Sequence, residues 1–301
     1  MGRLTARVLG SAAGGGFPQW NCRCPTCRLA WAGDARVQPR TQASLAVTAD
    51  GESWLLINAS PDLPQQIRQS RALHPRNGTR GSPIKAVLLT GAEIDQVAGL
   101  LSLREREPFR LYATAVTLAT LAENAMFGVL ASDVVTCKAV VPAAALTLPG
   151  GLQAQLFTVP GKVPLYLESD NPETVSETAA NVGIELCAGE TRIVYVPGAA
   201  AVTPAMLARM QGADLVFFDG TLFRDDEMIT TGTGAKTGRR MGHMPIDGED
   251  GSLVALEGLT GRRVYVHINN TNPILIAGSP ERLHVEGKGW EIAEDGMEIT
   301  L

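Results

Sequence analysis

Short apolar runs separated by Gly, Pro and Asn clusters set the rhythm of this chain. Residues 4–9, 44–47, 54–57 and 85–89 have strand length and the bulky or β-branched content that suits a pleated, buried surface. They predict successive strands of a sheet. Residues 96–104 switch to helical spacing, and the Ala- and Leu-rich stretch 113–132 predicts a longer helix. The order then returns in the second half. Residues 152–159, 184–188 and 191–196 read as strands, and 204–211 as a helix with Thr203 at its N-cap and Pro204 opening its first turn. Residues 215–218 form a wholly apolar strand that ends in Asp219. Residues 264–268 form another, carrying His267 near its end before the polar turn Asn269-Asn270-Thr271-Asn272-Pro273.

Strands followed by helices in both halves predict two mixed sheets enclosed by outer helices, an αββα sandwich of the α/β class. Polar residues stand where the strands end, and there a rigid sheet can aim side chains into a cleft without burying them unsatisfied. No internal repeat or low-complexity linker divides residues 1–301, so they read as a single domain. Residues 71–82, rich in Gly, Pro, Arg and Asn, read as a surface loop.

Composition narrows the function classes. Apolar residues make up 45% of the 301, enough for a sizeable core, and the net charge of -5 with interspersed acids and bases carries no basic stripe for nucleic acid. The opening residues lack the apolar stretch of a signal peptide, and no segment reaches the roughly 20 apolar residues needed to cross a bilayer. The expected address is the cytoplasm, with no membrane insertion. Homodimerisation stays open.

Three of the five cysteines crowd into Asn21-Cys22-Arg23-Cys24-Pro25-Thr26-Cys27. In a reducing compartment, three thiols this close read as ligands of a structural Zn²⁺, because thiolates are its preferred soft donors. A tetrahedral ion needs a fourth ligand, from one of the four histidines (His74, His243, His267, His284) or from a distant oxygen. Cys137 and Cys187, standing apart, read as core residues.

A second constellation begins where residues 87–90 feed the polar run Gly91-Ala92-Glu93-Ile94-Asp95-Gln96 and then a helix. The frame resembles the His-x-His-x-Asp-His loop of metallo-β-lactamase-fold hydrolases, with Gly91, Glu93, Asp95 and Gln96 at the ligand positions. Too few nitrogen donors remain there for a di-zinc hydrolase, and the oxygen donors Glu93 and Asp95 favour a harder ion or a single site. The alternative for both carboxylates is to cap the following helix. Asp219 stands where that fold has a metal-bridging Asp, and Gly242-His243-Met244-Pro245 resembles its Gly-His loop. His267 takes the place of the last histidine, and serves either the active-site metal or the three-cysteine set. Gly14, Gly15 and Gly16 form either a plain tight turn or a cradle whose amides hold a carboxylate, with Lys162, Arg239 and Arg240 as countercharge.

Residues 9–24 (LGSAAGGGFPQWNCRC), Asn58-Ala59-Ser60-Pro61-Asp62, residues 159–165 (VPGKVPL) and residues 267–273 (HINNTNP) closely resemble the protein B family of pyrroloquinoline quinone (PQQ) biosynthesis. The resemblance runs over nearly the whole chain. It implies the metallo-β-lactamase fold, a structural zinc on Cys22, Cys24 and Cys27, and an iron-dependent oxygenase that hydroxylates the tyrosine-derived ring of a Glu-Tyr precursor. Fe²⁺ or another divalent ion would then be held among Glu93, Asp95, Gln96, Asp219 and His243, with Asp95, Asp219 and His243 catalytic. The family's loop carries a histidine where this chain has Gln96. The alternative that the resemblance allows is a carrier of PQQ or its precursor that assists export.

Overall fold

Alternation within the apolar runs decides the layers. Leu215 and Phe217 pack on one side of their strand while Val216 and Phe218 pack on the other, and all four are buried. A strand covered on both faces has no need of polar positions, which is why residues 215–218 read as a continuous apolar run.

The computed structural model describes residues 3–168 and 176–301, and their strands form two seven-stranded sheets. The first sheet contains β1 (Thr5–Gly10), β2 (Ser44–Thr48), β3 (Trp54–Ile57), β4 (Ile84–Leu88), β5 (Arg110–Ala113) and β6 (Thr136–Ala139). The second contains β7 (Ala145–Thr147), β8 (Gln153–Pro160), β9 (Glu177–Ala188), β10 (Thr191–Val196), β11 (Leu215–Asp219), β12 (Arg262–Val266) and β13 (Glu291–Ile292). The last strand, β14 (Glu298–Thr300), returns to pair antiparallel with β1, so that both ends of the described chain lie in the first sheet. Each sheet is antiparallel on one side, up to the β2–β3 and β9–β10 pairs, and parallel from there to β6 or β13.

The two sheets share one apolar layer. Val8, Leu45, Ile57 and Leu88 of the first meet Leu156, Ile184, Ile193 and Phe217 of the second, each at 1% exposure or less. Burial of one such side chain is worth about 1.5–3 kcal/mol, so this layer is the main adhesive of the fold. Outside the first sheet lie the helices Leu63–Gln69 and Ala115–Ala122, which bury Leu63 and Leu121 against Leu56, Val87 and Leu111. Outside the second lie Pro204–Met210 and Pro280–Gly287, which bury Met206, Met210 and Val285. Thr203 caps the former as its sequence predicts, accepting a hydrogen bond from the Met206 amide.

Three expectations need correction. The long helix over 113–132 is a helix at Ala115–Ala122 and a separate 3-10 turn at Ala125–Val129; Thr114 caps the first and the extended backbone of Asn124 parts the two. The helix over 96–104 is one α-turn, Ile94–Val97, that tightens into a 3-10 segment, Ala98–Leu103, while the Gly99 amide donates to the carbonyl of Ala59. A Cβ at Gly99 would stand 2.1 Å from the Ser60 carbonyl oxygen, so this crossing needs glycine. Finally, Cys137 is exposed on β6 and Cys187 half-buried on β9, where they are not core residues. No helix among the described residues is long and apolar enough to cross a membrane.

Candidate metal centre

Parallel pairing of β11 with β12 sets Asp219 opposite Val266, which places His267 one residue beyond the strand end beside that carboxylate. His267 has a φ of +57°, an uncommon conformation for a residue with a Cβ, and one that turns its imidazole back over the sheet edge. His243 arrives from a different direction. A left-handed Gly242, with a φ of +86°, ends the short turn Arg239–Met241 and delivers it. Asp95 sits in the first turn of Ile94–Val97, which follows β4 of the first sheet.

These four side chains converge. Nδ1–H of His243 donates to Oδ2 of Asp219 at 2.7 Å, and Nε2 of His267 lies 3.0 Å from Oδ2 of Asp95. The imidazoles stack with ring centroids 5.2 Å apart. Between them stands Thr221, whose hydroxyl donates to Oδ1 of Asp219 at 2.6 Å and lies 2.8 Å from Nδ1 of His267. The Ala199 amide completes the cage by donating to Asp219 Oδ2. Burial works against ionisation of both aspartates, yet their neighbours win: His267 holds the Asp95 carboxyl below the usual carboxylate range, and His243 does the same for Asp219. For His267, burial disfavours the imidazolium and Asp95 outweighs it, so its pKa is raised.

One donor atom each from Asp219, His243 and His267 lies within 4.8 Å of the others, the spacing a single ion requires. Two imidazoles and a carboxylate are the donor set of non-haem ferrous sites, so the residues fit such an ion. Asp219 fixes the tautomer of His243, leaving its Nε2 lone pair for a metal. His267 therefore faces the aspartates rather than the cysteines.

The remaining loop positions are otherwise engaged. Oε1 of Gln96 accepts the Glu93 amide at 3.1 Å in a capping box whose other half is the Glu93 side chain; for Glu93 this is the capping role that the sequence left open. Glu93 pairs with Lys162 at 2.9 Å and accepts the Leu165 amide at 3.1 Å, outside the donor cluster. At Gly91 a Cβ would lie 2.6 Å from Gln96 Oε1, so a side chain there would displace that amide from its cap. The glycine cradle is largely spent as well. Gly15 N–H donates to Gln42 Oε1 and Gly16 N–H to the Ala13 carbonyl, while a Cβ at Gly14 would stand 3.6 Å from Asp95 Cγ. Arg239 turns away to Asp250.

A cavity of about 350 Å³ opens on the cluster, bordered by Thr90, Lys162, Glu168 and Lys236. Sequence reasoning missed Thr221, Glu168 and Lys236, whose roles come from contacts made across the fold. Thr221 alone left a signal, a small hydroxyl two residues after a strand-end Asp.

The second cluster is separate. The thiols of Cys22, Cys24 and Cys27 share one 4.8 Å neighbourhood, and the Asn270 side-chain amide stands 3.1, 3.6 and 3.3 Å from their sulfurs. A hydrogen bond from Cys27 lowers the Cys24 thiol's pKa and raises that of Cys27, so the first ionises readily. Asn270, three residues past His267, occupies the fourth corner that the sequence left unassigned.

Residues 53–268 match the Beta-lactamase superfamily domain. The chain is 54% identical over 299 residues to the coenzyme PQQ synthesis protein B of Methylobacterium sp. strain 4-46, covering 99% of this chain and 100% of that one. The chain belongs to the coenzyme PQQ synthesis protein B family. Its similarity to the Rhizobium meliloti member is also 54%, over 98% of this chain and 97% of the relative. The crystal structure of Zn²⁺-bound PqqB from Methylobacterium extorquens superposes with a TM-score of 0.97 at 54% identity, covering 99% of this chain and 100% of that one. A diphosphatase of the PhnP family shares the fold at a TM-score of 0.68 and 20% identity, over 99% of this chain and 97% of its own. This member of the PQQ synthesis family thus has a metallo-β-lactamase fold with divalent-metal donor sets at two places.

Proposed function

We propose that this chain is a metal-dependent oxygenase of PQQ biosynthesis that hydroxylates the tyrosine-derived ring of a Glu-Tyr precursor at a ferrous site formed by Asp219, His243 and His267. The carrying observation is that two-imidazole, one-carboxylate set, whose two imidazoles line a cavity. A ferrous ion bound there would supply O₂ activation. The chain's own residues do the rest. Asp219 orients His243, Asp95 orients His267, and Thr221 ties both halves together so that the donors need no reorganisation. In the overall reaction a ring C–H becomes C–OH and the second oxygen atom leaves as water, which takes two protons and two electrons from an added reductant such as a thiol or ascorbate. The cysteine cluster would hold a zinc that fixes the N-terminal loop; Asn270, whose Nδ2 donates to the sulfurs, would have to turn its Oδ1 inward to be the fourth ligand.

Carriage of PQQ or its precursor is the second reading, favoured by the capping role of Gln96 and by a glycine, with no donor side chain, at position 91. Anaerobic loading with Fe²⁺, then O₂, a Glu-Tyr-like diamino acid and ascorbate as the reductant, separates the two. We expect O₂ uptake matched by addition of one oxygen to the substrate, and a loss of at least about 100-fold in His243→Ala. Absence of turnover with every divalent metal, alongside retained PQQ binding, would leave only the carrier.

A further inference from the structure

The N-terminal loop carries side chains that neither metal cluster uses. Trp20 is 82% exposed, more than any other large apolar side chain among the described residues, and Trp31 is 56% exposed. The other two indoles, Trp54 and Trp290, are buried as the size of the ring favours. The exposed pair are neighbours. Nε1–H of Trp31 donates at 3.0 Å to the carbonyl of Cys22, two residues from Trp20, and the Cys22 amide closes a turn on the Gln19 carbonyl. Arg23 follows Cys22 directly, and Arg28 stands three residues before Trp31 on the same side of the helix Pro25–Trp31. Both arginines are exposed, and neither guanidinium has an ion pair or hydrogen bond among the described residues. Residues 20–33 hold no carboxylate, and Asp34, the next acid, is paired with Arg36 at 2.8 Å. The patch is therefore positive on a chain whose net charge is -5.

Trp and Arg are the residues that carry most binding energy where proteins meet. These are also held in place from beneath. Cys24, Thr26 and Cys27 are buried, and the Thr26 hydroxyl donates to the Asn270 carbonyl, so the loop loses little freedom when its outer face is covered. We infer that Trp20, Trp31, Arg23 and Arg28 form a docking face for an acidic segment of another protein, which seats an apolar side chain against the indoles and carboxylates on the guanidiniums. Charge selects that occupant. A second copy meeting this face across a two-fold axis would set arginines against arginines. Anionic bilayers are recognised by clusters of roughly four to eight cations, twice or more what this face offers on an otherwise acidic chain. None of the four side chains borders the metal cavity, so the face is no wall for a small ligand there. Gly14, six residues before Trp20, does border it, so a docked partner stands within about 20 Å of the cavity.

Affinity selection from a displayed library of random dodecapeptides on the immobilised full chain tests it. The selected peptides should combine Asp or Glu with an aromatic residue, and a synthetic copy should shift the emission of the two exposed indoles to the blue as it binds. Replacing the acids of that peptide by amides should weaken it about tenfold or more, and so should Trp20→Ser or Arg28→Glu in the protein. Both of these side chains stand in solvent, so Tm and metal content should keep their wild-type values. A library that yields no acidic, aromatic peptide, or peptides that bind the double variant as tightly as the wild type, would overturn the docking face. Sedimentation with phosphatidylglycerol vesicles that the double variant abolishes would give the face to a membrane, and a dimer that Trp20→Ser dissociates would give it to a second copy. Either result removes the acidic partner.

Discussion

Gln96 stands at a ligand position and spends its side chain on its own backbone. Its Oε1 accepts the Glu93 amide, and a side chain at Gly91, the first position of the loop, would displace that same amide group. Replacing Gln96 with His would remove the reciprocal half of the capping box without delivering a donor to the Asp219, His243 and His267 set. We expect Gln96→His to cost about 0.5–2 kcal/mol in urea unfolding and to leave metal content by elemental analysis unchanged. A gain of one bound ion per chain would show the loop to be a working ligand loop. Legibility at this scale followed chemistry at strand ends. Asp219 and His267 were visible because a carboxylate and an imidazole close two apolar strands, and Asp95 and His243 because of their place in the frame. Asn270 was in plain view in the turn yet unassigned, since only the folded register sets its amide against thiols from residues 22–27.

Elements were legible where burial imposes a pattern. β3 has the bounds its apolar run predicts, and the wholly buried β11 extends its run by the terminal Asp219. The edge strands β6 and β7 were not, because strands with little buried surface carry little hydrophobic signal. Helix length misled for a related reason: an Ala-rich run has helical propensity throughout, but Asn124 and the fold's geometry end it early. The turn Leu165–Leu167 shows what pairing does for an element with exposed apolar side chains, since Glu168 anchors it through charge. Burial raises the pKa of Glu168, but Lys162 and Lys236 outweigh it and bring the carboxyl from its ordinary 4.5 to about 2. The folded state therefore binds fewer protons than the unfolded one between these values, so this contribution is fully present above pH 4.5 and is lost as pH falls toward 2. Glu168→Gln should be less stable than wild type by about 1 kcal/mol at pH 7, a figure that allows for solvent screening. Denaturation at pH 7, 5 and 3 should show the gap narrowing below 4.5, and a gap that holds constant to pH 3 would mean the anchor is not ionic.

At the scale of the molecule, one turn serves both clusters. Residues 267–272 leave β12 with His267 in the Asp219 set and reach the thiols three residues later with Asn270. Along the way Asn269 N–H donates to the Thr221 carbonyl and Asn272 Nδ2 to that of Gly220, which ties the turn to the end of β11. A zinc on Cys22, Cys24, Cys27 and Asn270 would close a loop between residues some 240 positions apart and fix the turn from one end. The dependence should run in one direction. Cys27→Ser, by releasing the turn, should lower Tm by about 5 °C or more and weaken the second metal site about 10- to 100-fold, because the orientation of His267 goes with it. His243→Ala should empty the second site and leave the thiol-bound zinc and most of the Tm in place, because His243 arrives on its own loop from Gly242. Elemental analysis and calorimetry on the two variants give both numbers at once. Loss of both ions in His243→Ala, or retention of both affinities in Cys27→Ser, would mean that the turn does not transmit order from the cysteines to the imidazole.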